Sequence, residues 1–463
     1  MSAMNTLKKF GLEQAFNYVY KDPDKNFIKI MDWADKFSGG GFPTQRAMIR
    51  AAISNPEHPY YPFIHRLVTD IDPHVMKTLV ANFFINANLA GWKKQDECRE
   101  KYGCNIPWAI LLDPTSACNL HCTGCWAAEY GNKLNLTYDE IDDIIRQGKE
   151  LGVYMYIYTG GEPLVRKKDL IRLCEKHNDC IFLSFTNATL IDEDFANDML
   201  RVGNFVPAIS LEGFETATDG RRGNGVYQKV IKAINLLREK KLVFGISACY
   251  TSANFESITS EAFYDSLIDL GAYFIWYFHY MPVGNDAAPD LLPTKEQREY
   301  MYHRVREIRG ATGGKPIYAM DFQNDGEFVG GCIAGGRNYC HINANGDVEP
   351  CVFIHYSSAN IREVTLLEAL KQPLFMAYRD RQPFNNNHLR PCPMLENPEI
   401  LQEMIKETGA KSTDLQSPES AEHLCSKCEA YACEWKKTAD QLWKEHPHQQ
   451  KGYTNYKKRV EKQ

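Results

Sequence analysis

Hydrophobic positions change their rhythm twice along this chain. Up to about residue 106 the spacing is helix-like. In His74-Val-Met-Lys-Thr-Leu-Val-Ala-Asn-Phe-Phe-Ile-Asn-Ala-Asn-Leu, the residues Val75, Leu79, Phe83 and Ile85 fall near one face. From Trp108 onward, short apolar runs (109–113, 154–158, 181–185, 206–211, 242–249 and 273–280) alternate with amphipathic stretches at about 138–151, 167–177, 191–202, 226–240, 259–270 and 295–309. Thr137-x-x-Glu140 reads as a capping box opening the first of these helices, with Ile141, Ile144, Ile145 and Leu151 as its buried stripe. Thr294-x-x-Gln297 opens the last in the same way. Six βα repeats predict a parallel sheet with sites at the C-terminal strand ends. They are too few for an eightfold barrel, so the expected fold is α/β, a partial (β/α)6 TIM-type barrel. About 325–440 is Gly-rich with seven cysteines, and Asn345-Gly346 there reads as the type I′ turn of a hairpin. The expected organisation is a helical N-terminal extension (1–106), the barrel (107–322), a Cys-rich domain (323–440) and a polar tail (441–463).

With 463 residues, 44% hydrophobic and 24% charged, the composition is that of a globular protein, and a core of this size needs no disulfide staples. A net charge of -6 argues against a dedicated nucleic-acid binder. The anomaly is the 15 cysteines. Residues 1–30 show no charged, apolar and small-residue leader pattern, so the expected location is cytoplasmic, where cysteine clusters read as metal sites. The run Val75–Trp92 is interrupted by Lys77, Asn82, Asn86 and Asn88 and is too short and polar to span a bilayer. It reads as a helix packed on the barrel or, more sharply, as a surface that touches a membrane peripherally or covers an apolar substrate.

The first run leads into Pro114-Thr-Ser-Ala-Cys118-Asn-Leu-His-Cys122-Thr-Gly-Cys125-Trp126, with C-x3-C-x2-C spacing. Three thiolates on one loop can hold three irons of a [4Fe–4S] cube and leave the fourth open. Zinc, the competing metal, normally takes four protein ligands in structural sites. The loop and its place after the first strand resemble the radical S-adenosylmethionine (radical SAM) superfamily, over about 108–320. The resemblance implies a cluster held by Cys118, Cys122 and Cys125, whose open iron chelates S-adenosylmethionine. Reductive cleavage there yields a 5′-deoxyadenosyl radical that abstracts hydrogen from a substrate. Thr159-Gly160-Gly161-Glu162-Pro163 resembles the family's GGE motif, in which glycines allow close backbone approach and the carboxylate meets the methionine ammonium. Thr186-Asn187 resembles a further family pair. Ser210-Leu211-Glu212 resembles the polar pair reaching the cofactor ribose or carboxylate, with Ser247 a further ribose candidate. Arg222 resembles an arginine that pairs with the cofactor carboxylate, and Arg221 competes for that role. The family usually has an aromatic before the third cysteine, touching adenine; here Gly124 stands there and Trp126 follows Cys125. His279 and Tyr280 end an aromatic run that reads either as core or as a substrate-facing pair, with Tyr280 able to relay a proton or electron.

The second cysteine field resembles SPASM or twitch extensions through Cys332-x13-Gly346-x4-Cys351. This implies at least one auxiliary [4Fe–4S] cluster on Cys332, Cys340, Cys351 and Cys392. Cys425-x2-Cys428-x4-Cys433 departs from the SPASM spacing by one residue and one cysteine, and fits a second cluster or one helix equally. The fourth ligand is open between Cys340 and the Cys425 group, and zinc competes for the field. The other cysteines, 98, 104, 174, 180 and 249, read as core thiols. The resemblance implies an oxidoreductase or a C–C or C–S bond-forming transferase. Its partners would be an electron donor such as flavodoxin or ferredoxin and a peptide, lipid or small-molecule substrate. The rival class is a non-catalytic iron–sulfur or zinc-binding scaffold or electron carrier, which needs no amino-group clamp.

Overall fold

The six apolar runs become six strands of one sheet. These are β1 (Ala109–Leu112), β2 (Met155–Tyr158), β3 (Ile181–Thr186), β4 (Phe205–Ser210), β5 (Gly245–Tyr250) and β6 (Phe274–His279), each parallel to the next. The structure, a computed structural model, describes residue 11 and residues 14–37, 43–310 and 312–445. The expected helices lie between the strands. The first, Tyr138–Glu150, and the last, Lys295–Ile308, open on the complete capping boxes of Thr137 with Glu140 and Thr294 with Gln297.

The sheet goes further than six strands. β7 (Tyr318–Asp321) joins β6 in parallel, and β8 (Tyr339–Ile342) joins β1 in parallel at the other edge. β9 (Val348–Glu349) then pairs antiparallel with β8, giving the order β7-β6-β5-β4-β3-β2-β1-β8-β9. The Cys-rich segment thus supplies a strand to the barrel, and the sheet runs across the expected boundary at 322. The expected hairpin is present, but not its type I′ turn, which needs positive φ at both central residues. Gly346 has φ +88° and Asn345 is not among the positive-φ residues. The Asn343 side chain instead accepts from the N–H groups of Asn345 (2.9 Å) and Asp347 (3.0 Å) and shapes a wider loop.

The described residues before β1 are mostly helical. The helices Pro23–Phe37, Pro43–Ile53 and Tyr61–Thr69 share a small core of Met31, Ala52, Ile53 and Ile64. Asp72 caps the helix Pro73–Val80, whose Val75, Met76 and Leu79 are buried. The single apolar stripe fails beyond it, because residues Ala81–Gly91 form a π-helix. The wider turn rotates Asn82 and Asn86 inward and leaves Phe84 and Leu89 exposed. Both asparagines donate to the turn before β3: Asn82 to the carbonyls of Asn178 (2.9 Å) and Cys180 (2.8 Å), Asn86 to that of Asp179 (2.8 Å). Their buried amides are thereby satisfied, as burial requires. No described helix is long and apolar enough to cross a membrane. The long helix Ala421–Glu445 takes in the start of the expected polar tail; the rest, from 446, lies outside the described residues.

Candidate active site

The loop after β1 brings Cys118, Cys122 and Cys125 to the mouth of one cavity of about 930 Å³ that fills the barrel interior. The three thiols are half-buried and feel one another electrostatically. Burial pushes the Cys118 thiol up to about 11. Burial also raises Cys122, against the pull of Arg222, whose Nη1 lies 3.8 Å from the sulfur. Three convergent thiols opening on a cavity are the donor set a site-differentiated cluster needs, so the residues fit the group.

The Gly-Gly pair after β2 serves a different purpose from the one expected of it. Gly161 N–H donates to the Thr115 carbonyl (3.0 Å) and Glu162 N–H to the Ala117 carbonyl (2.8 Å), so this turn lies flush on the cysteine loop. A Cβ on Gly161 would stand 2.3 Å from the Ala117 carbonyl oxygen, and one on Gly160, at φ +101°, 2.7 Å from that of Thr115. The glycines admit the neighbouring loop backbone, not primarily a ligand.

Glu162 is buried and heavily used. Its Oε1 accepts from Leu164 N–H (3.0 Å) and the Thr186 hydroxyl (2.6 Å), and its Oε2 from Asn187 N–H (2.7 Å). A carboxylate offers about four acceptor sites, so about one remains at the cavity wall for a cation. Thr186 and Asn187 are therefore the positioners of Glu162, and Asn187 also reaches Asn119 in the cysteine loop (2.9 Å).

Ser210 and Ser247 are paired across β4 and β5, and both line the cavity. Arg221 and Arg222 line it too, but each is held by Glu212. Oε1 of that carboxylate accepts from Arg221 Nη1 (2.7 Å) and Arg222 Nε (2.9 Å), and Oε2 from Cys249 N–H (3.1 Å). Arg221 also exchanges backbone contacts with Thr123, whose N–H donates to its carbonyl (3.0 Å). The arginine pair clamps the cysteine loop, with no preference for Arg222 over Arg221.

His279 lines the cavity, but both of its ring nitrogens are engaged. Its Nδ1 lies 2.6 Å from the Tyr280 carbonyl, which can only accept, so Nδ1 carries the proton. Nε2 accepts from the Tyr431 hydroxyl at 2.7 Å. Burial and then Arg298 hold this imidazole neutral, far below its usual pKa. It is a strut to the C-terminal helix. Tyr280 is different: a side chain at Gly124 would meet its phenol at 2.6 Å. Tyr280 therefore stands in the space an aromatic before Cys125 would need, with its hydroxyl accepting from Ala288 N–H (2.9 Å).

Sequence reasoning missed a buried charge group under the loop. His341 on β8 lies between Asp113 (2.9 Å) and Glu349 (2.6 Å), all three fully buried. Burial opposes its protonation, but the two carboxylates outweigh that and lift it to about 10. Trp126 packs edge-on against His341, Phe353 and His355 at 5.8–6.2 Å, which ties the cysteine loop to the hairpin. The available signal was the cross-strand pairing of His341 with Glu349 inside the expected hairpin.

In the second cysteine field, Cys332, Cys351 and Cys392 lie together around Tyr339, whose hydroxyl contacts the Cys351 sulfur at 2.8 Å. The same three, with Cys425, set the potential at the Tyr378 hydroxyl. That hydroxyl is buried without a hydrogen-bond partner, a donor placed where the sulfides of a cluster would accept, so this group also fits. Cys340 is corrected out of the set: strand alternation turns it to the face of β8 opposite Tyr339 and His341. The group at 425–433 rides on one helix, with Cys425 and Cys428 buried and Cys433 exposed, so these three do not converge. Cys351→Ala is expected to lower bound iron by about four per chain relative to wild type, and Cys340→Ala to leave it unchanged. Iron and sulfide analysis of the anaerobically reconstituted variants checks this.

Residues 112–256 match the model of the radical SAM superfamily, and residues 332–394 match that of SPASM, an iron-sulfur cluster-binding domain. The chain thus carries a radical SAM domain followed by a SPASM domain. The radical SAM domain implies a catalytic [4Fe–4S] cluster and S-adenosylmethionine, and the SPASM domain implies auxiliary iron–sulfur binding. Among similar proteins are an AdoMet-dependent heme synthase of Methanosarcina barkeri, 26% identical over 56% of this chain and 80% of its own, and a PqqA peptide cyclase of Bradyrhizobium diazoefficiens, 26% identical over 56% and 70%. Streptococcus suis SuiB bound to S-adenosylmethionine shares the fold, with a TM-score of 0.54 and 20% identity over 65% of this chain and 76% of that one.

Proposed function

We propose that this chain is a radical SAM enzyme in which Cys118, Cys122 and Cys125 hold the catalytic cluster. Cys332, Cys351, Cys392 and Cys425 hold one auxiliary cluster. The observation that carries the reading is the convergence of three thiols on one cavity beside a Gly-Gly-Glu turn that leaves one carboxylate acceptor free. When bound, the cluster and S-adenosylmethionine supply reductive cleavage to a 5′-deoxyadenosyl radical and hydrogen abstraction from substrate. The chain's own part is positional. Glu162 takes the ammonium on its remaining acceptor site, and Ser210 and Ser247 offer hydroxyls to a ribose. Arg221 and Arg222 hold the loop and place positive charge beside the Cys122 sulfur. Tyr280 supplies the ring against adenine that Gly124 lacks. Free thiolate clusters of this kind need a reducing compartment, which favours the cytoplasm, and a low-potential donor such as flavodoxin or ferredoxin. The test is anaerobic reconstitution followed by dithionite and S-adenosylmethionine. The reading expects 5′-deoxyadenosine; a fully reconstituted protein that forms none is a carrier and overturns it.

A further inference from the structure

Most hydroxyl, amide and carboxylate side chains that line the barrel cavity stand at its cysteine-loop end, among them Thr159, Glu162, Asn187, Ser210 and Ser247, while Asn338 and the indole of Trp108 stand at the opposite end, where β1 begins. Between these ends the inward positions of the strands are apolar: Leu111, Ile157, Leu183 and Val206. Beside the serines, where Trp276 pairs with Ser247 in register, Phe185, Trp276, Phe278 and Phe322 form an aromatic group with neighbouring ring centroids 5.2–5.7 Å apart. The cavity continues past the strands to Met76, Leu79 and Phe83 of the N-terminal helices. Strands of up to six residues rising about 3.3 Å each give this apolar shaft walls of about 20 Å. The rings of Phe84 and Tyr318, which line it and are 51% and 46% exposed, mark where its lower end meets solvent.

We infer that the substrate carries a long apolar chain, acyl or isoprenoid, that lies along this shaft and presents a C–H bond at the cysteine-loop end. The inference rests on the radical SAM reading above. The shaft discriminates by what it lacks. A peptide threaded into it would leave amides unpaired, each costing about 1–3 kcal/mol. An apolar chain brings no polar group of its own to be left unpaired, and a volume of about 930 Å³ is large enough to hold one beside the cofactor end.

The experiment titrates reconstituted holoenzyme, with S-adenosylmethionine present, with the fluorescent acyl probe cis-parinarate. 5′-Deoxyadenosine formation is measured on the same samples. Saturable binding of one probe per chain is expected, displaced by palmitate if the chain is acyl or by geranylgeraniol if it is isoprenoid. Val206→Trp, which fills the shaft, is expected to weaken binding at least about tenfold. Phe84→Glu changes an exposed side chain and so spares the fold; it is expected to weaken binding at the lower mouth. Holoenzyme that forms 5′-deoxyadenosine yet binds neither probe nor competitor overturns the inference and spares the enzyme reading. Binding that ignores both substitutions also overturns it. Saturable binding without 5′-deoxyadenosine upholds the shaft and sinks the enzyme reading instead.

Discussion

Cys122→Ala is expected to form no 5′-deoxyadenosine above background, a loss of at least about a hundredfold, since even outer-shell changes at metal sites reach that size. The thiol lies at the cavity mouth, and Arg222 beside it at 3.8 Å favours its charged, ligating form. Without it, two thiolates remain for a cube that needs three to leave only one iron open. Iron is expected to fall by about four per chain while the auxiliary site stays filled. Cys433→Ala is the matched control, because that thiol is exposed on the C-terminal helix and far from convergence with the others. Cys122→Ala protein that still cleaves S-adenosylmethionine at the wild-type rate would remove the cluster from this loop.

Glu212→Ala is expected to cost roughly 3–5 kcal/mol of stability, the range for removing one partner of a buried charge group. Its carboxylate is fully buried between two guanidiniums and the Cys249 N–H. Burial opposes its ionisation, but Arg221 and Arg222 outweigh that and hold it below the ordinary glutamate value. Its contribution is therefore complete above the unfolded glutamate pKa of about 4.3 and is lost as pH falls through the lower folded value. Because Arg221 grips Thr123, the same substitution is expected to loosen the cysteine loop and shed the catalytic cluster on gel filtration. Denaturant titration from pH 7 down to pH 3 reads the stability, and iron analysis after gel filtration reads the cluster. A variant within 0.5 kcal/mol of wild type that keeps its iron would show that the clamp is incidental.

Much of the fold was legible because local and global signals agree. The two capping boxes place their helices within a residue, and the six apolar runs fall on the six central strands. β7 escaped because Tyr318-Ala-Met-Asp321 is not an apolar run, and β8, though part of the expected hairpin, gave no local sign of its pairing with β1. The π-helix escaped because its logic is the docking of Asn82 and Asn86 on carbonyls nearly a hundred residues away. At the site, spacing singled out the three loop cysteines that the structure brings to one cavity, but it misjudged what the two glycines accommodate. It also failed to separate Cys340 from Cys425, a question of which face of a strand or helix each sulfur occupies. Tyr280 beside Gly124 could not be read from either stretch alone.

The pairing of β1 with β8 sets a schedule for biosynthesis. Ala109–Leu112 leave the ribosome more than two hundred residues before Tyr339–Ile342, which cover their edge and bring His341 to Asp113. At about 5–20 residues per second the nascent barrel waits roughly 10–50 s with one strand bare and one carboxylate without its counter-ion. A chain stopped at residue 322 would keep both defects permanently, as an open edge of the kind that templates aggregation. The stretch up to residue 322 thus lacks the strand that covers its own edge, and expression screens should carry the chain at least through β9.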